Sequence, residues 1–287
     1  MKRLISYYQK KLRGVSLFIK KNANIDEISG VRFINGEVSF SSVKLNVHCF
    51  EVDGVLIDSG SETLLPQFKE FFNQADVDKV ILTHDHEDHV GGASYMQEKY
   101  NLPVFMHEMS AESSVKKATY PLYRQIFWGK RKPFEAQPLG DTFQSRNAEW
   151  DVIKTPGHTK DHLSFLNKDT RQLFSGDLYV NPSIKVVLRK ESMPSIMQSI
   201  ERVLTYDFDE VFCCHAGYVE DGRQALTNKL DNLKVLQERI LSLHHQGYNN
   251  KEIQRTIYPK TYPITYFSLG EWDTMHVINS FVNESDH

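Results

Sequence analysis

The sequence has few cysteines: Cys49, Cys213 and Cys214 are the only ones in 287 residues, and two of them are adjacent. An odd number with an adjacent pair is a poor disulfide framework, so the pattern favours a reducing compartment. A chain of this length can bury a large core without disulfide bonds. We therefore expect a cytoplasmic protein.

Long apolar runs are also missing, since no uncharged segment approaches the roughly 18 residues needed to cross a bilayer. We expect no membrane span. Neither charge dominates, because 34 Lys and Arg oppose 37 Asp and Glu, for a formal charge of −3. This balance gives no overall attraction to nucleic acid, although it allows a local basic patch. Repeats and low-complexity tracts are absent, and the composition is that of a globular protein.

Acidic residues are missing before Asp26, whereas Lys and Arg recur through the same segment. The segment has no continuous apolar stretch of the signal-peptide kind, so we do not expect a cleaved leader. We interpret residues 1–29 as a solvated basic segment, with contact to a membrane surface as the alternative.

Residues 30–222 read as an α/β domain in which short apolar strands alternate with helical patterns. Asn35-Gly36 and Asp53-Gly54 each lie between two apolar runs and predict β-hairpins. Helices are expected over residues 63–74 and near residues 90–92, and residues 110–140 are expected to be irregular. Further strands are expected around residues 79–84, 104–106, 150–154, 163–166, 172–175 and 208–214.

The pattern after residue 222 is helical. Leucine and isoleucine recur every three or four positions between Leu226 and Leu243, which predicts an amphipathic helix that stops near Gly247. Capping-box spacing at Asn249 with Glu252, and at Ser268 with Glu271, predicts two more helices. We assign residues 223–287 to a C-terminal helical region; the alternative is that these helices pack on the main sheet as one domain.

The segment THDHEDHVGG, residues 83–92, is the richest in candidate ligands. It places His84, His86, Asp88 and His89 within six positions, directly after an apolar strand. If the backbone is still extended, His84 and His86 lie on the same side, while Asp88 and His89 face a second point from the start of a helix. Imidazole and carboxylate together suit Zn²⁺ and similar divalent ions. The segment therefore predicts a metal site.

Three more candidate ligands follow: His158 in TPGHTKDH, Asp177 in LFSGDLY and His215 in VFCCHAGY. Each follows or ends a predicted strand and stands beside a small residue that permits a tight turn. Any one of them alone has an ordinary interpretation as a turn residue. Their shared context favours strands that deliver ligands to one rim.

These motifs resemble those of the metallo-β-lactamase fold superfamily of metal-dependent hydrolases, in a style close to glyoxalase II. Five motifs occur in the family's order over roughly residues 30–220: IDSG with Asp58, HxHxDH, PGHT, SGD and CCHAG. The resemblance implies an α/β fold, an αββα four-layer sandwich with its site on one edge of the two sheets. The C-terminal helices would be an appendage.

The resemblance also implies two divalent metal ions, with Zn²⁺ expected first and Fe or Mn as alternatives. It assigns His84, His86 and His158 to the first ion, Asp88, His89 and His215 to the second, and Asp177 to a bridge between them. A metal-bridging hydroxide would attack the substrate, since two such ions lower the pKa of water from about 15.7 toward about 7. Asp88 would orient this hydroxide and pass its proton to the leaving group.

Other residues near the motifs have two interpretations. Asp58 resembles the family's carboxylate that fixes a histidine tautomer or the metal loop, and is otherwise a turn residue at a strand end. His162 resembles a position close to the site. Tyr179 is an oxyanion donor or, preferably, a packed aromatic. Cys213 and Cys214 are expected to be small buried strand residues rather than ligands.

The preferred function is a dinuclear hydrolase of a small acyl substrate: a thioester, ester or lactone. Tyr123, Phe127 and Trp128 would form a lid and an apolar pocket wall, or else a packed insertion. Antibiotic hydrolysis is disfavoured, because Asp177 stands where class B1-type β-lactamases have Cys. Homoserine-lactone hydrolases have Tyr at the position of Val180, so this sequence departs from their pattern there. The glutathione-binding pattern of a true glyoxalase II is not recognisable.

The second hypothesis is a phosphodiesterase or ribonuclease, in which Lys130, Arg131 and Lys132 contact phosphate. The net charge of −3 argues against it, because phosphate contacts dominate such binding. The third is an iron-dependent redox enzyme, which the full seven-ligand set disfavours. The expected partner is thus a small molecule rather than nucleic acid, and substrate, native metal and oligomeric state are left open.

Overall fold

The computed structural model describes residues 19–40 and 43–285. The chain separates into two units, residues 1–151 and residues 152–287. Most of the predicted basic leading segment, including Lys2, Arg3, Lys10, Lys11 and Arg13, lies outside the described residues. The divisions predicted after residues 29 and 222 stay predictions.

A seven-stranded sheet forms the first unit, with its strands in chain order from β1 to β7. The first four strands are antiparallel: β1 (Lys20–Ile28), β2 (Val31–Phe40), β3 (Val43–Val52) and β4 (Val55–Ile57). The hairpin predicted at Asp53-Gly54 is confirmed. Both residues have left-handed backbones, with φ of 47° and 78°, and Val52 pairs with Val55.

The remaining strands run parallel to β4: β5 (Lys79–Ile81), β6 (Val104–Met106) and β7 (Ala136–Pro138). A 3₁₀ turn (Glu62–Leu64) precedes α1 (Leu65–Gln74), and the unit continues with α2 (Glu87–Val90), α3 (Ala93–Tyr100), α4 (Glu108–Ser114) and α5 (Leu122–Trp128). Parallel strands end at one edge of their sheet, so the loops after β4, β5 and β6 all start there. This edge carries the candidate ligands of the first unit.

Three parts of this unit can be compared with the sequence analysis. Residues 20–28, within the segment interpreted as solvated and basic, form an exposed edge strand that pairs with β2 along its whole length. Residues 110–140 are not irregular, since they contain the helix α5. Its apolar face, formed by Tyr123, Phe127 and Trp128, is buried. The helix expected to start near residues 90–92 is α3, whose N-cap is Gly92; the short helix α2 precedes it.

The hairpin predicted at Asn35-Gly36 is wrong. Both residues lie in the middle of β2, where Gly36 pairs with Val47 of β3. A Cβ atom at Gly36 would lie 2.5 Å from the Phe68 ring and 2.7 Å from Leu64. The glycine is therefore required for close packing against the side chains of Leu64 and Phe68, and not for a turn.

The second unit is built on a sheet in which β9 (Glu149–Lys154), β10 (Leu163–Asn167), β11 (Gln172–Gly176), β13 (Glu210–Cys213) and β14 (Gly217–Val219) are successive neighbours. The start of β9 pairs with β8 (Thr142–Gln144) in the first unit, and β9 continues past the division. The pair β11 and β13 is parallel. A separate ladder joins β12 (Val187–Leu188) to β15 (Trp272–Asp273). The predicted strands in this region are confirmed to within two residues.

The helices of the second unit are α6 (Met193–Val203), α7 (Gly222–His245), α8 (Asn250–Ile257), α9 (Pro263–Phe267) and α10 (Thr274–Ser285). The predicted amphipathic helix is confirmed as α7, and the predicted capping box opens α8. The box predicted at Ser268 is wrong: this residue follows α9, and its hydroxyl accepts a hydrogen bond from the Trp272 backbone instead. None of the described helices has both the length and the apolar character that crossing a membrane requires.

The C-terminal helices share one apolar core with the sheet of the second unit. Leu173 and Val211 from the strands lie in the same buried cluster as Leu226 of α7 and Phe281 of α10. This core holds in place the strand ends from which the candidate ligands of the second unit project.

We predict that Gly36→Ala destabilises the protein by about 1–3 kcal/mol, because the added methyl group overpacks against Phe68 and Leu64. Chemical unfolding measures this difference. Gly140→Ala is the matched control, because its nearest neighbour to an added Cβ is 3.7 Å away. Equal stability of the two variants would contradict the packing role of Gly36.

Candidate metal centre

Three imidazoles meet at the junction between β5 and α2 in the first unit. The ring centroid of His84 lies 4.6 Å from that of His86 and 4.1 Å from that of His89. Asp88 is beside them, with Oδ2 4.0 Å from Nε2 of His89. The structure thus brings the four candidate ligands of this segment close together; that His84 with His86, and Asp88 with His89, face two separate points stays a prediction.

Asp58 fixes the orientation of His89. It follows β4 with a left-handed backbone, φ 58°, and its carboxylate accepts a hydrogen bond from the Thr83 backbone at 2.8 Å. Its Oδ2 also lies 2.8 Å from Nδ1 of His89. An ionised carboxylate can only accept, so Nδ1 donates and Nε2 keeps its lone pair for a ligand. Both interpretations of Asp58, turn residue and histidine partner, therefore hold.

Thr83 extends this arrangement to His84. Its hydroxyl lies 2.9 Å from Oδ2 of Asp58 and 3.0 Å from Nδ1 of His84. The single hydroxyl proton goes to the carboxylate, so the oxygen accepts from Nδ1 of His84. Nε2 of His84 is then also available as a ligand atom. Sequence reasoning missed Thr83; its one signal is a polar residue between a buried strand and the first histidine.

Asp85 and Glu87, the two acids of the motif that are not candidate ligands, contact arginines of residues 110–140, the insertion that follows β6. Glu87 is buried, 2% exposed, and its Oε2 accepts from Nη2 of Arg124 on α5 at 2.7 Å. Arg131 lies 3.4 Å from Asp85 and donates to the Ser114 carbonyl at 3.0 Å. Burial raises the pKa of Glu87 to about 7, while Arg124 opposes this shift. The insertion therefore supports the metal-binding loop electrostatically.

Asp177 is the centre of the cluster in the second unit. Its Oδ2 lies 3.3 Å from Nε2 of His158 and 3.1 Å from Nε2 of His215. Asp177 and His215 follow the parallel neighbours β11 and β13, and His158 follows β9. One carboxylate oxygen within reach of two imidazole nitrogens has the arrangement expected of a shared ligand.

Glu191 orients His158, as Asp58 orients His89. Its Oε2 lies 3.2 Å from Nδ1 of His158, and its Oε1 accepts from the Leu188 backbone at 2.7 Å. Nδ1 of His158 therefore donates, and Nε2 is directed to Asp177. Gly157 allows the turn, with φ 141° and with the Ile196 backbone only 2.6 Å from where a Cβ would lie. Sequence reasoning missed Glu191, which belongs to no motif.

The neighbouring residues have supporting roles. Nε2 of His162 accepts a hydrogen bond from the Asp177 backbone at 2.9 Å, so His162 holds the Asp177 loop and is no ligand in this arrangement. Cys213 and Cys214 are buried, as expected, and no disulfide joins them. Tyr179 packs at the edge of the apolar core, which is the preferred of its two interpretations.

The donor sets of both units fit divalent metal ions. Each offers imidazole nitrogen and carboxylate oxygen, the ligands that Zn²⁺ takes in hydrolases. In each unit a second carboxylate fixes the far nitrogen of a candidate ligand, which is the usual support of a metal-binding histidine.

Comparison with known proteins agrees with this chemistry. A family model described as the metallo-beta-lactamase superfamily matches residues 45–215. A hydroxyacylglutathione hydrolase of Pectobacterium atrosepticum is 33% identical over 141 residues, which are 48% of this chain and 47% of the relative. The probable metallo-hydrolase YflN of Bacillus subtilis is 26% identical over 185 residues, 56% of this chain and 69% of the relative. The chain thus matches about half the length of the first relative. The hydrolase names support the expectation of a metal-dependent hydrolase.

Solved structures share the fold. A metallo-beta-lactamase family protein from Thermus thermophilus superposes with a TM-score of 0.65 at 18% identity, covering 90% of this chain and 95% of that one. A beta-lactamase domain protein from Burkholderia ambifaria gives 0.66 at 17% identity, covering 92% and 88%. The predicted fold class is therefore confirmed, and at these identities the likeness concerns the fold alone.

We predict that Arg124→Met destabilises the protein by roughly 3 kcal/mol or more at pH 8, because it leaves the buried Glu87 carboxylate without its arginine. Adding Glu87→Gln to this variant should recover most of the loss. Lys44→Met is the control. Lys44 is 68% exposed in its ion pair with Glu37, so its loss should change the free energy of unfolding by less than about 1 kcal/mol. Urea unfolding tests all three. If the arginine and lysine variants proved equally stable, Arg124 would not support the loop.

Proposed function

The chain belongs to the metallo-beta-lactamase superfamily, and on that premise we propose that it is a dinuclear metal-dependent hydrolase of a small acyl substrate, a thioester, ester or lactone. The observation that carries this proposal is the position of Asp177 Oδ2, within 3.3 Å of Nε2 atoms of both His158 and His215. Such a carboxylate is suited to be shared by two cations.

The proposal assigns the candidate ligands as follows. The first ion would be held by His84, His86 and His158, the second by Asp88, His89 and His215, and Asp177 would be shared. Zinc is proposed because these are its usual donors, and iron or manganese accept the same types. The carboxylates Asp58 and Glu191 support the assignment, since they leave Nε2 of His89 and of His158 available to a cation.

Two divalent ions, when bound, supply an acidified water and offset negative charge on a substrate carbonyl oxygen. The protein supplies orientation and proton transfer. A carboxylate has two oxygens, so Asp88 can act as a ligand through one and hold the released proton on the other. It would then pass this proton to the leaving group. Asp58, Thr83 and Glu191 keep the imidazoles in place while this happens.

The burial and hydrogen bonding of Arg131, one of the three basic residues that would contact phosphate, support an acyl substrate over a phosphodiester. This side chain is 6% exposed and donates to the carbonyls of Ser114 and Lys116, so it does not contact phosphate from this position. Relatives named hydroxyacylglutathione hydrolase and metallo-hydrolase also support acyl or related hydrolysis. Tyr123, Phe127 and Trp128 are buried in the insertion and favour a packed insertion over a pocket wall.

A reducing, cytoplasmic compartment is part of the proposal. It is supported by the cysteine usage, since Cys49, Cys213 and Cys214 are buried and no disulfide joins them.

We predict that Asp177→Ala loses at least one equivalent of metal, and that hydrolysis of the best substrate falls more than about 100-fold, because the acidified water depends on both ions. Elemental analysis and a panel of thioesters, esters, lactones, phosphodiesters and β-lactams, run on one sample, measure both effects. Asp169→Ala, on an exposed turn, is the control. Two retained metals and full activity in Asp177→Ala would show that this carboxylate is not shared.

We also predict that chelation lowers the melting temperature. Ligands that bind only the folded state stabilise it, by about 4 kcal/mol when free zinc is 1,000 times Kd. This corresponds to a shift of roughly 10 °C for a chain of this size. Calorimetry with and without zinc gives the shift, and identical curves would contradict a tight site.

A further inference from the structure

Lys229 is a charged residue in the apolar interior of the second unit. It lies on the buried face of α7 and is 4% exposed. Its Nζ donates to the carbonyl oxygens of Leu178 at 2.7 Å and Tyr179 at 2.6 Å. Burying an ammonium group costs stability unless its hydrogen bonds are satisfied, so this position calls for an explanation beyond packing.

The two carbonyls that Lys229 binds belong to the residues directly after Asp177. The next residue, Val180, has a left-handed backbone with φ 47°, which is strained for a β-branched side chain. Its N–H donates to Sγ of Cys213 at 3.3 Å. Strain of this kind persists only where the surroundings hold it. Lys229 and Cys213 together hold the two peptide groups that join Leu178, Tyr179 and Val180.

The positive charge of Lys229 is opposed by burial and favoured by neighbouring acidic groups. Burial lowers the pKa of Lys229 to about 8, and Cys213, Glu191 and Asp177 act in the opposite direction. The ammonium is therefore mostly charged at neutral pH. It supplies positive charge near Asp177, which lies between two histidines, and near Glu191, which orients one of them.

We infer that Lys229 is a positioning residue for Asp177: it clamps the Leu178 and Tyr179 carbonyls and so fixes the loop that presents the Asp177 carboxylate to His158 and His215. The C-terminal helix α7 thereby takes part in building the site. The inference rests on the proposed function only where metal and activity are measured; the clamp itself is a property of the polypeptide.

The competing explanation is that Lys229 serves only folding. Lys229→Met keeps a side chain of similar length but leaves the Leu178 and Tyr179 carbonyls without their donor, so metal affinity and local exchange, rather than stability alone, separate the two explanations. A purely structural lysine would change the melting temperature and leave metal affinity unaltered. A positioning lysine would change metal affinity as well, and its loss would accelerate amide exchange specifically at residues 178–181.

The experiment compares wild type, Lys229→Met, Lys229→Arg and the control Lys234→Met. Lys234 is on the same helix but pairs with Glu201 at the surface. Zinc affinity is measured by competition with a chelating dye, and amide exchange at residues 178–181 is measured on the metal-free protein. Where substrate is known, kcat and KM are measured separately. If Lys229→Met does not fold, Lys229→Gln replaces it with the same expectations.

We expect Lys229→Met to weaken zinc binding by about 10–100-fold, as loss of groups that support ligands does. Exchange at residues 178–181 should accelerate by an order of magnitude or more, and kcat should fall with KM little changed. Lys229→Arg should recover part of the affinity and Lys234→Met should behave as wild type. Wild-type affinity together with unchanged exchange in Lys229→Met would overturn the inference. If wild type bound no zinc, the proposed function would fail, and the exchange rates would still decide whether Lys229 clamps the loop.

Discussion

The site depends on one kind of interaction: a hydrogen bond from the Nδ1 side of a buried imidazole to a carboxylate. Asp58 accepts from His89, and Glu191 accepts from His158. Thr83 links Asp58 to His84: its hydroxyl donates to the Asp58 carboxylate and accepts from Nδ1 of His84. Each contact fixes a ring and a tautomer together, because the other nitrogen must then carry the lone pair. Without these partners, histidines at strand ends would be free to rotate and would make a poor cation site.

The fold supplies these partners from distant parts of the chain. Asp58 and His84 follow neighbouring parallel strands, so their loops leave one edge of the first sheet. The insertion adds Arg124 and Arg131 against the remaining acids of the motif. In the second unit α7 contributes Lys229 behind Asp177. The elements beyond the motifs thus serve the site as well as the core.

The candidate ligands could be predicted from sequence because their information is local. Spacing of His84, His86, Asp88 and His89 after a strand determines where they point, and the same holds for Asp177 after β11. Glu191 and Lys229 could not be predicted, since their roles arise from contacts between segments far apart in the chain. The hairpin prediction at Asn35-Gly36 failed for a related reason. Gly36 packs against Phe68, a residue of a later helix, and no local sequence pattern shows that contact.

The central claim is that Asp58, Thr83 and Glu191 hold these imidazoles so that Nε2 is available to a metal ion. Long-range ¹H–¹⁵N NMR of histidine-labelled, zinc-loaded protein tests it directly, because it distinguishes a protonated nitrogen from a metal-bound one. The account predicts protonated Nδ1 and metal-bound Nε2 for His84, His89 and His158. Protonated Nε2, or metal on Nδ1, at any of the three would contradict it.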